Sequence, residues 1–171
     1  MPIVEPASAV IAVMALALLV WAETQRPTLL IAREGEVVGL MRDGGRVLSR
    51  ARAGSFTAEN WLQSDGDNAT QDEAFARSGY DARDTVVHLR GGSFDVVHLA
   101  GQRALAQLQD VCLPGRIVVV TKEPEARQGP CQIISPRDLR QSGALALSYT
   151  RGVVTMKSVA QASGQRRWTG R

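Results

Sequence analysis

The 171-residue sequence contains few of the side chains on which enzyme active sites most often depend. It has two histidines and two cysteines, and aromatic residues make up 5% of the chain. Two histidines are too few for a histidine-rich dinuclear metal centre. The motifs G-x-x-x-x-G-K-[ST], G-x-G-x-x-G and G-x-S-x-G are absent, so neither a glycine-rich phosphate loop nor a nucleophilic serine elbow is indicated. These absences exclude several large enzyme classes.

The remaining composition is that of an ordinary globular protein. Hydrophobic residues make up 44% and charged residues 22% of the chain. Twenty basic residues face 17 acidic ones, and a net charge of +3 is too small to indicate nucleic-acid binding by itself. Lys122 and Lys157 are the only lysines, so arginine supplies nearly all the positive charge. The length fits one domain, or a small domain with an appendage.

The longest uncharged segment lies near the N-terminus. Residues 6–22 carry no charge and are bounded by Glu5 and Glu23. As a helix this segment would be roughly 25 Å long and apolar on every face. Pro6 suits a first helical turn, and Trp21 suits the headgroup boundary. We therefore predict a transmembrane helix within residues 1–23, followed by a domain over residues 24–171.

Two other interpretations of this segment stay open. Cleavage after Ala22 would make it a signal peptide and the mature chain a secreted soluble domain, although no Lys or Arg precedes the apolar run. The segment would otherwise be a buried core helix. Arginines and glutamates are mixed in the following residues, so the sequence does not fix the orientation across a membrane.

Beyond residue 24, short apolar runs alternate with turn residues, which predicts a mixed α/β (α+β) domain. We expect strands at residues 29–32, 36–41, 46–49, 85–89, 94–99, 116–121, 131–134, 144–149 and 153–157. We expect helices at residues 57–63, 70–78, 102–112 and 136–142. The run RIVVVT at residues 116–121 is apolar throughout, as in a strand covered on both faces.

Three stretches resemble the C-terminal end of the ComEC family of competence proteins in its alphaproteobacterial form. They begin QRPTLLIAREGEVVGLMRDGG, FDVVHLAGQRALAQLQDVCLPG and CQIISPRDLRQSGALALSYTRG, and together they cover nearly the whole chain. The resemblance implies a domain related to metallo-β-lactamases that follows an inner-membrane DNA channel. It also implies a role in DNA uptake at the inner (plasma) membrane and favours the periplasmic side for the domain, which the predicted helix within residues 1–23 would anchor as a single pass.

The chain departs from that family in two respects. It lacks the OB-like domain and the many membrane helices of the channel, so it corresponds to a fragment of the full protein. It also lacks the H-x-H-x-D-H motif of active metallo-β-lactamase-like hydrolases. We therefore expect a degenerate, non-catalytic domain without a cofactor, and identify no small-molecule substrate. Its partners would be single-stranded DNA, the membrane and the channel portion of a competence protein.

The two histidines test the alternative of a residual hydrolase. If Gly91-Gly92 forms a two-residue hairpin turn, His88 pairs with Asp95, and His98 lies on the opposite sheet face. On opposite faces the histidines could not share a metal. A single-metal hydrolase would then have to use either His88 or His98, together with Asp and Cys ligands.

Two further groups of residues have structural as well as functional explanations. The acidic residues at 65, 67, 72 and 73 resemble half of a calcium loop, but a turn that caps the next helix explains them better. Cys112 and Cys131 follow a predicted helix and open a predicted strand. They would form a disulfide on the outer side of a membrane, and buried or free thiols in a cytoplasmic domain.

Arginines near an aromatic side chain are the candidates for contact with DNA. Such an arrangement resembles the backbone-and-stacking surface of proteins that bind single strands. The candidate residues are Arg46, Arg50, Arg52, Arg166, Arg167 and Trp168.

Overall fold

The computed structural model describes residues 10–17 and 26–164. Within them, residues 10–17 form helix α1. The described strands are β1 (Leu29–Ile31), β2 (Val38–Arg42), β3 (Gly45–Leu48), β4 (Val86–Gly91), β5 (Phe94–Leu99), β6 (Ile117–Val120), β7 (Gln132–Ile134), β8 (Leu145–Thr150) and β9 (Val153–Ser158). The other described helices are α2 (Ser55–Asp65), α3 (Gln71–Ala76), α4 (Gln102–Leu105), α5 (Leu108–Val111), α6 (Pro136–Ser142) and α7 (Val159–Ser163).

The strands form two sheets that share one hydrophobic core. The first sheet is antiparallel with the order β3-β2-β1-β8-β9, and the second has the order β4-β5-β6-β7. Leu29 and Leu40 of the first sheet pack in one cluster with Leu89, Val96 and Val119 of the second. The predicted meander of β1, β2 and β3 is confirmed, because each consecutive pair is antiparallel.

Helices cover the outer surfaces of both sheets. Ala58 and Leu62 of α2 pack with Leu48 on the first sheet. Ala104 of α4 and Leu108 of α5 pack on the second sheet, in a cluster that includes residues of β5 and β6. The result is four layers in the order helix, sheet, sheet, helix, which confirms the predicted mixed α+β class.

The second sheet combines a hairpin with parallel strands. β4 and β5 are antiparallel, whereas β5, β6 and β7 run parallel to one another. All four residues of β6 are buried, as predicted for a strand covered on both faces. Parallel strands point their carboxyl ends in one direction, so the loops that follow β5, β6 and β7 lie at one end of the molecule.

The β4–β5 hairpin differs from its predicted register. Gly92 and Ser93 form the turn with φ values of 55° and 70°, the pattern of a type I′ turn. His88 consequently lies opposite Val97, so the expected pairing of His88 with Asp95 was wrong. The register is displaced by two residues, which preserves the parity of the strand. His88 and His98 therefore lie on opposite faces of the sheet, as predicted.

Two helical regions also differ from expectation. The single helix predicted at residues 102–112 is divided into α4 and α5, because Gln107 N–H bonds to Ala104 O and tightens the chain into a turn. Helix α7 was not predicted. Its N-terminus is closed by a capping box between Ser158 and Gln161, a spacing that is visible in the sequence.

The predicted anchor at residues 1–23 falls largely outside the described residues. The part that is described, residues 10–17, is helical and exposed along its length. Among the residues that the structure describes, no helix is both long and apolar enough to cross a bilayer.

Candidate functional site

The two sheets pack face to face as a sandwich. Several polar loops lie at the end of this sandwich where the carboxyl ends of β5, β6 and β7 are found, which we call the loop end. The turn between β1 and β2 reaches this end, because His98 Nε2 at the end of β5 donates to Gly35 O over 2.9 Å. The loop before α2 joins it, since a Cβ at Gly54 would lie 2.8 Å from Glu36 Cγ. Three distant parts of the sequence therefore meet where ligands commonly bind in α/β sheets.

Gly35 lets the β1–β2 turn pack closely against helix α6. Its N–H bonds to Ala32 O over 2.9 Å, and its φ of 70° lies in the left-handed region. A Cβ at Gly35 would come within 3.2 Å of Leu139 Cδ1 and 3.4 Å of Val120 O. A Cβ at this position would be in tight contact with α6 and would strain the left-handed backbone, so glycine favours the close approach.

A cleft of about 530 Å³ opens beside this contact and is lined by Arg33, Glu34, Thr121, Pro136 and Arg140. Arg33 and Arg140 are exposed, and neither forms an ion pair with a carboxylate in the described part of the chain. Thr121 Oγ1 accepts a hydrogen bond from Gly101 N–H over 2.8 Å, which leaves its own hydroxyl proton for another acceptor. The cleft therefore offers two cationic groups and a hydroxyl donor.

Two carboxylates near the cleft, Asp138 and Glu123, are paired with Arg127, whereas Glu34 in the lining has no ion-pair partner in the described part of the chain. Asp138 accepts from Ser135 N–H over 2.9 Å and from Arg127 Nη1 over 2.7 Å, and Glu123 is paired with the same guanidinium. Burial raises the pKa of Asp138, but the hydrogen bonds from Ser135 and Arg127 outweigh it and hold that pKa below its usual value. Both carboxylates stay ionised at neutral pH, and Arg127 offsets one of their two negative charges.

His98 is a structural residue of this end. Its side chain is 1% exposed, and Nδ1 has no hydrogen-bond partner among the described residues. Burial lowers the pKa of His98 to about 4, with nearby Arg50 adding to the effect and the Gly35 carbonyl opposing it. The imidazole is therefore neutral at pH 7, and its Nε2–H holds the Gly35 turn in place.

His88 lies on the opposite face of the sheet and is half-buried. Burial lowers its pKa, Arg116 adds to the effect and Asp95 opposes it. Asp95 itself is bonded to Arg116 over 2.9 Å. No group of three or more potential metal-ligating side chains occurs within residues 10–17 and 26–164. The described residues therefore do not assemble the single-metal site considered for His88 or His98.

Cys112 and Cys131 form a disulfide with a Cα–Cα distance of 5.0 Å. It joins the residue after α5 to the residue before β7, on the side of the second sheet that α4 and α5 cover. Both thiols are consumed, so neither cysteine is available as a nucleophile or a metal ligand.

Comparisons with known proteins add no relative. No family model matches the chain, and neither the curated proteins nor the solved structures give a significant match. The resemblance to ComEC proteins therefore stays a prediction from the sequence.

The acidic residues between α2 and α3 form the turn and helix cap that the sequence suggested. Glu73 and Thr70 make a capping box, and Asp67 accepts from Ala69 N–H over 3.0 Å. The hydrogen bond from Arg77 lowers the pKa of Asp67, despite an opposing effect of burial. Asp65 is bonded to the fully buried Arg46. Arg46 was expected to be available to DNA, and that expectation was wrong.

The remaining candidates for DNA contact are only partly described. Arg50 is half-buried and donates from Nη1 to Asp84 O over 2.6 Å, so it also supports the fold. Arg52 is exposed and forms no ion pair with the described carboxylates. Arg166, Arg167 and Trp168 lie outside the described residues.

Sequence reasoning missed Arg33 and Arg140. Arg33 lies in the turn that follows β1, and Arg140 lies in the helix that follows β7. The available signal was that a basic residue stands close behind two strand ends. Recognising it requires knowing that the β1–β2 turn and α6 meet, and Gly35 creates that contact across a sequence separation that local patterns do not reveal.

Proposed function

We propose that the chain is a membrane-anchored, non-catalytic unit of a ComEC-like DNA-uptake apparatus, in which the loop end of the sandwich binds single-stranded DNA. The observation that carries this proposal is the presence of exposed arginines at that end without carboxylate partners in the described residues. They are Arg33, Arg52 and Arg140. The four-layer arrangement is compatible with the metallo-β-lactamase-like domain that the resemblance implies.

The chemistry of these side chains favours phosphate as the group that is bound. A guanidinium is always charged and presents a planar set of N–H donors that matches the oxygens of a phosphodiester. Contacts of this kind position a nucleic acid without reading its sequence. A protein that passes incoming DNA of any sequence requires recognition of that type.

Binding fits the site better than catalysis does. The two histidines lie on opposite sheet faces, and the thiols are joined in a disulfide. Glu123 and Asp138 are bonded to Arg127, with their pKa values lowered rather than raised toward neutrality. A general acid at neutral pH needs a raised carboxyl pKa, and neither group provides one.

The proposed location is the inner membrane, with a single-pass anchor inside residues 1–23 and the domain on the periplasmic side. The disulfide supports that side, because disulfides persist in oxidising compartments and are rare in the cytosol. Cell fractionation with protease treatment of intact spheroplasts tests it. We expect an integral-membrane protein whose domain is digested from outside. A soluble product that begins at Glu23 would instead identify a secreted domain.

DNA binding is tested by reversing the charge of arginines at the loop end. We expect the full chain to bind a labelled oligo(dT) with an affinity that falls as salt rises. Arg52→Glu should weaken binding and reduce the slope of log K against log[salt] by about 0.7 for each lost phosphate contact. Arg50→Glu extends the series and needs a stability check, because its guanidinium also bonds to Asp84 O. Arg166→Glu and Arg167→Glu test the two candidate arginines that lie outside the described residues.

The matched control is Arg151→Glu, in the turn between β8 and β9. Arg151 is exposed and also forms no ion pair within the described part of the chain, but it lies beyond the far end of β8. The control should leave the salt slope unchanged. Absence of binding by the unmodified chain at low salt, or an equal effect of Arg151→Glu, would overturn the DNA proposal.

A further inference from the structure

The geometry points to a specific phosphate site in the cleft beside α6, in which Arg33 and Arg140 supply two guanidinium groups and Thr121 supplies a hydroxyl donor. These residues are different from the arginines that the sequence suggested for DNA contact. The inference rests on the proposed function only for the natural source of the phosphate, which would be the DNA backbone. The site itself requires only the chemistry of a phosphate group.

The two segments that carry the arginines are fixed relative to each other. Arg33 belongs to the turn that Gly35 seats against Leu139 and Val120, and His98 Nε2 bonds to that turn from the end of β5. Arg140 directly follows Leu139, which is completely buried. Binding therefore does not require the two backbone segments to be brought together, and only the side chains must be ordered.

The helix that carries Arg140 is itself anchored in the fold. Ser135 and Asp138 form a capping box at the start of α6, and Arg127 ties Asp138 and Glu123 to the same place. Arg127 pairs with both carboxylates, so each has a cationic partner other than Arg140. Thr121 is placed equally firmly, because its Oγ1 accepts the hydrogen bond from Gly101 N–H.

Glu34 is a carboxylate that lines the cleft, and its substitution should change phosphate affinity in the opposite direction to substitution of the arginines. Its side chain makes no ion pair with a basic residue in the described ranges. A negative group beside an anion site repels the ligand, whereas two positive groups attract it. Removal of the Glu34 charge should therefore strengthen binding, and removal of either arginine charge should weaken it.

The size and lining of the cleft limit what it can hold. A volume of about 530 Å³ falls in the range of sites for small ligands and leaves room around a single phosphate group. No aromatic side chain is among the described residues that line it, so those residues supply no base-stacking platform of the kind found on single-strand binding surfaces. The cleft would recognise the phosphate and not the base.

Pyrophosphate and an oligo(dT) are the two probes that test this site, titrated against the full chain. The side-chain Nε–H signals of arginine in ¹⁵N-edited spectra report directly on guanidinium contacts. We expect pyrophosphate to shift the signals of Arg33 and Arg140. We also expect Arg33→Gln and Arg140→Gln each to weaken its binding about ten-fold, and Glu34→Gln to strengthen it several-fold. Arg151→Gln is the matched control and should leave the affinity for both pyrophosphate and oligo(dT) unchanged.

The two probes separate this inference from the proposed function. Pyrophosphate binding with the expected variant pattern, but without oligo(dT) binding, would retain the phosphate site and overturn the DNA proposal. Binding of oligo(dT) that is unaffected by Arg33→Gln and Arg140→Gln would retain the DNA proposal and overturn this site. An equal loss in Arg151→Gln, or weaker binding in Glu34→Gln, would also overturn it. The substituted residues are exposed, so unchanged thermal unfolding serves as the check that each variant folds.

Discussion

At the scale of single residues, His98 shows how one buried side chain joins separate parts of the fold. Its Nε2–H bonds to Gly35 O, which connects β5 to the turn between β1 and β2. The other ring nitrogen has no hydrogen-bond partner within the described residues, and burial of a polar atom without a partner is unfavourable. The hydrogen bond from Nε2 that holds the turn containing Arg33 beside the cleft offsets part of this cost.

The pKa of His98 predicts a loss of stability in mild acid. The folded-state pKa is about 4, whereas an unfolded histidine titrates near 6.5. Between these values the unfolded chain binds a proton that the folded chain does not, so the free energy of unfolding falls as the pH falls. The full effect is about 3 kcal/mol. Urea unfolding measured from pH 7 to pH 4.5 should show most of it.

The variant His98→Gln isolates this contribution. The glutamine amide can still donate to Gly35 O but does not titrate, so the pH dependence between 7 and 4.5 should become flatter. His88→Gln is the control, because His88 is only half-buried and should account for a smaller share. Equal pH profiles for the unmodified chain and His98→Gln would contradict the assignment. Carboxylates such as Asp67, whose pKa is lowered, affect stability mainly below this window.

At the scale of secondary-structure elements, the disulfide between Cys112 and Cys131 stabilises a region in which α5 and β7 are too short to bury much surface. α5 has four residues and β7 has three, and most residues of the loop between β6 and β7 are exposed. The bond between Cys112 and Cys131 closes a segment with a sequence separation of 19. Without it, β7 would be held at the edge of its sheet by its pairing with β6 and by the packing of Ile133 and Ile134.

Reduction of the disulfide should therefore lower stability and loosen this edge first. Loop-closure entropy gives an effect of about 3 kcal/mol. Thermal unfolding with and without a reducing agent measures the total change. Hydrogen exchange should show the greatest loss of protection in β7 and less in β2, which lies in the interior of the other sheet. The Cys112→Ser, Cys131→Ser double variant should match the reduced protein and no longer respond to the reductant. Equal stability with and without reductant would contradict the role assigned to the bond.

The elements also show how far the sequence alone could lead. Strands with β-branched residues between turn signals, such as those around Gly91 and Gly92, were predicted correctly because their cause is local. The register of that hairpin was missed by two residues, since it depends on Ser93 adopting a positive φ. Two other features depend on residues far apart in the sequence, and local sequence patterns do not predict them. They are the pairing of β1 with β8 and the burial of Arg46 against Asp65. The cleft was not predicted for the same reason, because it forms only where distant segments of the sequence meet.

At the scale of the whole molecule, the first sheet extends beyond the part that the sandwich covers. β9 is an edge strand, and five of its six residues are exposed. Val154 and Met156 lie opposite Tyr149 and Leu147, respectively, so their side chains share a face with residues of the inter-sheet core. An exposed apolar edge with unpaired backbone groups is a template for pairing with another chain.

We therefore expect the domain to associate at high protein concentration through the β9 edge. Val154→Lys places a charge on this strand and should reduce light scattering at high concentration, while Tm changes little because Val154 is 53% exposed. Gln109→Lys, at an exposed position of α5 on the other side of the molecule, adds the same charge away from the edge and is the matched control. If both variants reduced scattering equally, net charge would explain the effect. If only Val154→Lys did so, the uncovered edge would be its cause.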